Sequence, residues 1–459
     1  MKETKTAIGQ EPIRDARSLG VPKMLILGLQ HMFAMFGATV LVPILVQSYG
    51  LPLSIQTTLF FAGIGTLFFH VCTRMRVPAF LGSSFAFLGG FAAMGAMDAG
   101  MYAAMEPAEK LQYACGGIVV AGLLYVVLAA VIKAVGVHRV MHYLPPVVTG
   151  PIIILIGLNL APSAVSNAST CWWLALVAMA IIVVANIWGK GMIKIIPILL
   201  GVVGSYLVAL AAGMVDFSGL ADSTLLGGTN PILGFQPFIT NFSGSVAKFD
   251  VSAILVMAPI AVASMMEHIG DMSAISATVG ENFIEDPGLH RTLVGDGIAT
   301  AMAGMFGGPA NTTYGENTGV LVLSRVHDPR VIRLAAIYAV VLSFSPAFAY
   351  IVNTIPSAII GGVSFILYGM ISAIGVRNVV ENQVDFTNSR NLIIAAVILV
   401  CGLGFTGGLT FQVGGASITL TSLAVAAIAG IVLNAILPGN DFHFGKTAGA
   451  DTAASLGRY

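Results

Sequence analysis

The chain has 459 residues, of which 57% are hydrophobic and only 9% are charged. Soluble domains carry roughly 25% charged residues, so this composition excludes a water-soluble globular enzyme, and the high apolar content excludes a disordered chain. Lysine plus arginine and aspartate plus glutamate number 21 each, a balance that does not indicate a nucleic-acid partner. The 53 glycines and 20 prolines are typical of closely packed and interrupted membrane helices. We therefore expect an all-α polytopic protein of the lipid bilayer.

The first 23 residues are polar and of mixed charge, which predicts a cytoplasmic N-terminal segment over 1–23 and no cleavable signal peptide. After it, apolar stretches near the roughly 20-residue length of a membrane-spanning helix recur along the chain. The first seven predicted spans lie near 24–45, 54–72, 78–97, 114–135, 144–163, 171–188 and 193–214. The second seven lie near 252–275, 288–307, 310–326, 330–353, 356–376, 391–408 and 416–437. A polar extracytoplasmic connection, 215–251, separates the two sets, and a cytoplasmic tail covers 438–459.

The positions of lysine and arginine predict the orientation of the chain. With fourteen spans and a cytoplasmic N-terminus, nineteen of the 21 basic residues lie at cytoplasmic ends, and only Lys110 and Lys248 lie on the other side. A miscount of one span would remove this bias. We therefore expect a multi-pass protein of the cell membrane (inner or plasma) with both termini in the cytoplasm.

Seven spans in each half predict two inverted structural repeats, 24–214 and 252–437, an architecture found in secondary transporters. Spans three and ten begin with the same dipeptide, Pro78-Ala79 and Pro309-Ala310, and small polar residues follow in each case. Irregular backbone at membrane depth is tolerated only where protein buries it or where it lines a cavity. This pair of interrupted segments therefore predicts a binding site near the middle of the membrane.

Four acidic residues fall within predicted spans: Glu267, Asp271, Asp296 and Glu316. An ionised side chain at the bilayer centre costs about 2.5–3.5 kcal/mol on insertion scales, and no lysine or arginine lies deep enough to pair with these acids. Glu267 and Asp271 are four residues apart and share a helix face, where like charges disfavour simultaneous ionisation. We expect these acids to exchange a proton. The alternative is that they only hydrogen-bond to interrupted backbone and fix helix packing.

Enzyme chemistry finds little support in the sequence. The four cysteines lie far apart in or beside apolar runs, so we expect packing residues and no metal site. The string from Glu267 to Asp271 is not the zinc motif HExxH, and no nucleophile–base motif or phosphate-binding loop occurs. We expect a transporter that is not an enzyme and that needs no cofactor.

Several motifs together resemble those of the nucleobase–ascorbate transporter (nucleobase:cation symporter) family, in the form most similar to bacterial uracil permeases. The signature-like segment is Tyr314-Gly315-Glu316-Asn317-Thr318-Gly319, which runs on to Ser324-Arg325. Other matching strings are Gln30-His31-Met32-Phe33, Pro78-Ala79-Phe80-Leu81-Gly82-Ser83-Ser84-Phe85, Glu267-His268-Ile269-Gly270 and Asp286-Pro287-Gly288. The resemblance extends from about residue 20 to 437.

The resemblance implies a core domain of spans one to four and eight to eleven, and a gate domain of spans five to seven and twelve to fourteen. Spans three and ten would each carry a short strand that leads into a half-helix. A homodimer formed through the gate domain is a further implication. The implied activity is uracil import coupled to protons by alternating access.

The resemblance also implies the residues of the site. Substrate would bind to the side chains of Glu267 and Glu316 and to the backbone amides of Phe85 and Gly315. Tyr314, Ser84 and His31 would lie nearby, and Asn317 would support the site. Asp271 and Asp296 would join the two glutamates in proton coupling. Carboxylates accept from the ring N–H groups of uracil, and half-helix N-termini donate to its carbonyls.

Two positions depart from the uracil permease pattern, which has His where Asp271 stands and Asn where Asp296 stands. Acids at these positions look more like the purine-transporting members. A xanthine or urate symporter and a sodium-coupled variant therefore remain alternatives. An anion exchanger is disfavoured because a site with a net negative charge repels anions.

Overall fold

The computed structural model describes residues 12–98, 100–216, 246–413 and 416–440. The N-terminal residues before 12, most of the predicted 215–251 connection and the tail from 441 lie outside the described residues. The described chain is almost entirely helical, as the composition predicts.

The described α-helices of the first half are α1 (Val21–Ser48), α2 (Ile55–Cys72), α3 (Leu88–Gly95), α4 (Pro107–Val135), α5 (Val137–Tyr143), α6 (Pro146–Ser169), α7 (Trp172–Ile187), α8 (Met192–Ile195) and α9 (Pro197–Ala211). Those of the second half are α10 (Val251–Met257), α11 (Ile260–Val279), α12 (Leu289–Met305), α13 (Gly315–Ser324), α14 (Pro329–Ser343), α15 (Pro346–Asn353), α16 (Ser357–Glu381), α17 (Ser389–Gly404) and α18 (Ser422–Ile436). The strands are β1 (Leu81–Ser83), β2 (Asn311–Thr313), β3 (Leu409–Val413) and β4 (Ala416–Leu420).

Each of the fourteen predicted spans contains at least one of these helices. Within the described residues, six helical segments are long and apolar enough to cross a membrane, and the bent pair α14–α15 would be a seventh. Shorter apolar helices account for most of the other predicted spans. The chain is thus a multi-pass helical membrane protein, whereas the fourteen-span inverted layout stays a prediction.

Two predicted spans differ from the structure. Span eleven is not continuous, because α14 and α15 meet at 87°. Pro346 cannot donate a helical hydrogen bond, and the Ser345 hydroxyl accepts from the Phe348 N–H, so a new helix begins there. Span fourteen begins as the strand β4, which pairs antiparallel with β3. The alternating apolar and polar residues of 409–413 and 416–420, on either side of Gly414-Gly415, are typical of a hairpin, whereas 416–420 was predicted as part of a helix.

The helices pack in two groups. In the first group α4 packs along α12, α2 packs against α12 and α14, and α1 packs against α14. In the second group α6 packs along α16, while α7, α9, α17 and α18 surround this pair. Close contact between α4 and α12 depends on glycine, since a Cβ on Gly122 would lie 2.4 Å from the Gly297 carbonyl oxygen. Contacts of α1 with α9, and of α11 with α6, join the two groups.

The strands β1 and β2 cross inside the first group and interrupt spans three and ten, as the sequence predicts. They pair antiparallel, with Leu81 opposite Thr313 and Gly82 opposite Thr312. Each strand is held by a threonine of a neighbouring helix. The Thr66 hydroxyl accepts from the Leu81 N–H at 2.9 Å, and the Thr300 hydroxyl accepts from the N–H of the first β2 residue at 3.2 Å.

The N-terminal segment is tied to the loop before α14. The Ala16 N–H donates to the Asp328 carboxylate at 2.7 Å, and Arg330 donates to both Asp15 and Asp328. Hydrogen bonds from the Arg17 side chain and backbone lower the pKa of Asp15 to about 2. The segment therefore enters α1 from a fixed position.

Candidate functional site

A small, partly open cavity lies where the two interrupted segments meet. It is lined by Phe85, Ile153, Glu267, Asp271, Thr312, Thr313, Tyr314, Gly315, Glu316, Ile371 and Ile374. Small-molecule sites of this kind are concave and mostly apolar, with a few polar groups that fix the ligand. This cavity has that character, because polar groups from α11, β2 and the start of α13 meet the apolar side chains of Phe85 and of three isoleucines on α6 and α16.

Three carboxyl groups face the cavity: those of Glu267 and Asp271 on α11, and that of Glu316 in the first turn of α13. The spacing of four residues places the two α11 acids on one face, as predicted. The Thr313 hydroxyl donates to Asp271 Oδ2 at 2.9 Å. Glu267 Oε2 is buried without a hydrogen-bond partner among the described residues. The cavity therefore offers an unpaired acceptor to a ligand with N–H donors.

Two short helices begin at the cavity. Residues Phe85–Phe87 form a 3₁₀ turn that leads into α3, and α13 begins at Gly315. No side chain caps either N-terminus, so backbone N–H groups of these first turns are available to acceptors. Phe85 and Gly315 both line the cavity. The helix N-termini thus supply hydrogen-bond donors to the cavity, and the carboxylates supply acceptors to the same cavity.

The side chain of Tyr314 fixes the strand crossing. Its hydroxyl donates to the Ser83 carbonyl oxygen at 2.9 Å and lies 3.4 Å from the Thr39 hydroxyl. The ring lies across Gly82, where an added Cβ would be 2.2 Å from Tyr314 Cζ. Only a residue without a side chain fits at Gly82, so this tyrosine and glycine set the distance between β1 and β2.

Three of the sequence-predicted residues lie behind the cavity and do not line it. His31 is fully buried, and Asn317 Nδ2 lies 3.1 Å from its carbonyl oxygen and 3.3 Å from its Nδ1. The Ser84 hydroxyl lies 3.5 Å from that of Ser264. Asn317 therefore connects the first turn of α13 to α1, in keeping with a supporting position.

Asp296 also lies away from the cavity lining. Its Oδ2 lies 2.8 Å from Nδ1 of His268, and both side chains are fully buried. His268 Nε2 lies 3.0 Å from the Thr292 hydroxyl. Asp296 on α12 is therefore joined to the residue that follows Glu267 on α11, and its partner is a histidine that the sequence analysis did not assign to the site.

Sequence reasoning missed the apolar wall of the cavity and two of its hydroxyl groups. Ile153 comes from α6, and Ile371 and Ile374 come from α16, which are unremarkable positions in long apolar runs. Thr312 and Thr313 were noted only as small polar residues of an interrupted span. The period-2 alternation of side chains in a strand would have directed only one of them towards the cavity, whereas both line it.

Comparisons with known proteins agree with this architecture. A family model described as a permease family matches residues 22–410. The chain is 40% identical over 436 residues to the uracil permease of Bacillus caldolyticus, with coverage of 93% of this chain and 94% of that protein. It is also 40% identical over 423 residues to the uracil permease of Bacillus subtilis (89% and 91% covered). It is 35% identical over 421 residues to the uracil permease of Escherichia coli (89% and 90% covered).

Solved structures share the fold. The transmembrane domain of the cyanobacterial bicarbonate transporter BicA superposes with a TM-score of 0.58 at 16% identity and covers 92% of this chain and 99% of that one. SLC26A9 gives a TM-score of 0.64 at 11% identity, with coverage of 91% and 65%. At these low identities, the similarity shows a shared fold and does not bear on function. The family match and the relatives show that the chain belongs to the nucleobase–ascorbate transporter permease family and is a membrane permease, not an enzyme.

Proposed function

We propose that the chain imports uracil together with protons by alternating access. The observation that carries this proposal is the cavity at the strand crossing, which combines carboxylate acceptors with helix N-terminal donors. Relatives that carry the name uracil permease at 35–40% identity support the substrate. A planar ring with alternating N–H and carbonyl groups matches both kinds of partner in one plane.

In this proposal Glu267 and Glu316 accept hydrogen bonds from ring N–H groups, while the N–H groups of Phe85 and Gly315 donate to ring carbonyls. Tyr314 holds the crossing that positions these two amides. Buried groups built to satisfy a polar ligand reject analogues that lack the matching groups, because the groups of the site are then left unpaired. The isoleucine side chains of α6 and α16 supply the apolar face against which the ring packs.

Proton coupling is assigned to Glu267, Asp271, Asp296 and Glu316. Three carboxyl groups in one cavity cannot all be ionised at low cost, and protons are the simplest means of neutralising them. Asp296 would act through His268, beside Glu267, and so would be a positioning residue. Neutralisation removes the cost of moving charge past the apolar residues of the second helix group.

We further propose that the first helix group is the core domain and the second the gate domain, within fourteen spans arranged as inverted repeats. The equivalent roles of Thr66 on α2 and Thr300 on α12, each of which accepts a hydrogen bond from one strand of the antiparallel pair, support this symmetry. Both termini would lie in the cytoplasm of a cell-membrane protein, as the basic residues predict. A homodimer through the gate domain is part of the same proposal.

Binding and coupling are tested on purified protein. A thermal-shift panel of uracil, thymine, xanthine, hypoxanthine and urate compares the wild type with Glu316→Gln, and Glu285→Gln in an exposed loop serves as the matched control. Loss of one charge-assisted hydrogen bond costs about 1.5–3 kcal/mol, so uracil should bind roughly 10- to 150-fold more weakly to Glu316→Gln. The site assignment fails if that substitution leaves stabilisation by uracil unchanged.

Uracil-driven proton uptake into proteoliposomes tests the coupling ion. Uptake that does not respond to a pH gradient but requires sodium would reject proton coupling and leave uracil as the proposed substrate. A purine is the second candidate substrate, because Asp271 lies in the cavity with a hydroxyl partner on β2. Stronger stabilisation by xanthine or urate than by uracil would favour it.

A further inference from the structure

A second, larger cavity leads away from the proposed substrate site. The two cavities share Gly315, Glu316, Ile371 and Ile374, so they meet at the first turn of α13. From there the second cavity runs between α1, α13 and α16 to the segment that joins α7 and α9. We call this second cavity the vestibule.

The vestibule lies on the side of the protein that the basic residues place in the cytoplasm. It reaches Lys194 in α8 and Asn186 near the end of α7, in the connection between predicted spans six and seven. In the other direction, the ring of Phe85 packs edge-on against Tyr368 of α16, with ring centroids 5.9 Å apart. The structure therefore has the form expected for substrate release to the cytoplasm.

Lys194 is the one basic residue that lines the vestibule in the described part of the chain, and Glu316 is the one acidic residue. Both residues line the same space, Lys194 on α8 as a solvent-exposed residue and Glu316 on α13 as a half-buried one. Coulomb attraction across such a space is strengthened by its apolar walls, which here include Phe33, Leu199 and Leu323.

The other charged and titratable groups near Glu316 do not supply a positive charge. From α11, Glu267 and Asp271 face it with carboxyl groups. From α1, the imidazole of His31 lies against Asn317. From α16, Arg377 donates to Glu381 at 2.6 Å, one turn further along its own helix.

We propose that Lys194 promotes proton release from Glu316 when the site faces the cytoplasm, and this proposal rests on the proposed function. After uracil leaves, the ammonium group attracts the ionised carboxylate, so the O–H bond of Glu316 breaks and its proton passes to water in the vestibule. When the core domain moves to face outwards, α13 separates from α8 and this attraction is lost. The carboxyl group then takes a proton from the outside, which makes the cycle directional.

The proposal separates two transport modes. Net uptake requires the empty carrier to return without its proton, whereas exchange of internal for external uracil can proceed with the proton retained. Removing the positive charge should therefore slow net uptake and leave exchange intact. A residue that only shapes the vestibule would affect both modes equally.

The experiment uses purified full-length protein in proteoliposomes. It compares Lys194→Gln and Lys194→Arg with Lys190→Gln, which removes an exposed charge four residues earlier and outside the vestibule. We expect Lys194→Gln to lower the initial rate of net uracil uptake by about fivefold at neutral internal pH, the upper range for the effect of an exposed charge. Raising the internal pH should restore that rate. Exchange by Lys194→Gln, and both modes in the other two variants, should stay within about twofold of the wild type.

Equal loss of net uptake and exchange in Lys194→Gln, or no loss of either, would overturn the proposal. A loss of net uptake in Lys194→Gln that has the same size at every internal pH would also overturn it. If wild-type uptake itself ignores the pH gradient, proton coupling in the proposed function is what fails. If the wild type is driven by protons and Lys194→Gln behaves like it, only the role of Lys194 fails.

Discussion

Replacing Gly82 by alanine tests whether the strand crossing positions the site. The added Cβ would lie 2.2 Å from Cζ and 2.3 Å from Cε2 of Tyr314, and both distances are far shorter than van der Waals contact. Relief requires the tyrosine ring to move by more than 1 Å, roughly the difference from an ordinary carbon–carbon contact. That movement also breaks the 2.9 Å hydrogen bond from the Tyr314 hydroxyl to the Ser83 carbonyl oxygen.

The magnitude follows from these two contributions. Overpacking of a close-packed interior costs about 1–3 kcal/mol, and the lost hydrogen bond adds about 0.5–1.5 kcal/mol. For a chain of this size the sum corresponds to a decrease in Tm of roughly 2–4 °C. Since the crossing also carries the amides of Phe85 and Gly315, uracil uptake should fall more steeply than stability.

The assay is thermal unfolding of purified protein, with uptake measured in parallel. Gly89→Ala is the matched control, because an added Cβ there meets nothing within 4 Å on the same interrupted span. A Gly82→Ala protein that matches Gly89→Ala in Tm and uptake would refute this account of the crossing.

Further predictions concern the threonines that hold the strands and the docked N-terminal segment. Thr66→Val and Thr300→Val each leave one buried strand N–H without its acceptor, which should lower the free energy of unfolding by about 1–3 kcal/mol. The matching serine variants keep the hydroxyl and should retain the Tm of the wild type. Equal Tm values for the valine and serine variants would contradict this prediction. Asp15 has a lowered pKa, so its contribution to docking is present above its ordinary pKa of 3.8 and is lost as the pH falls towards about 2. Hydrogen exchange of residues 12–20 should therefore be constant from pH 5 to 8, after correction for intrinsic rates, and protection should fall only under more acidic conditions.

Composition and local patterning suffice to predict the class of protein and the place of the candidate site. With only 9% charged residues, the chain has too few charged side chains to cover a water-exposed surface. Two Pro-Ala segments followed by small polar residues predict interrupted spans, because free backbone groups are costly in lipid. Acids four residues apart on α11 must share a face, so Glu267 and Asp271 could be assigned to one side of a helix.

Tertiary structure alone decided which residues meet across these elements. Helical periodicity predicts on which face of α12 Asp296 lies, but only the packing of α12 against α11 brings the Asp296 carboxyl group to His268. The apolar wall from α6 and α16 could not be predicted, because an isoleucine in a long apolar run carries no signal of the cavity that it faces. The bend at Ser345-Pro346 and the pairing of β3 with β4 were missed for a different reason: hydropathy averaged over a span registers neither a proline that cannot donate a helical hydrogen bond nor a period-2 alternation.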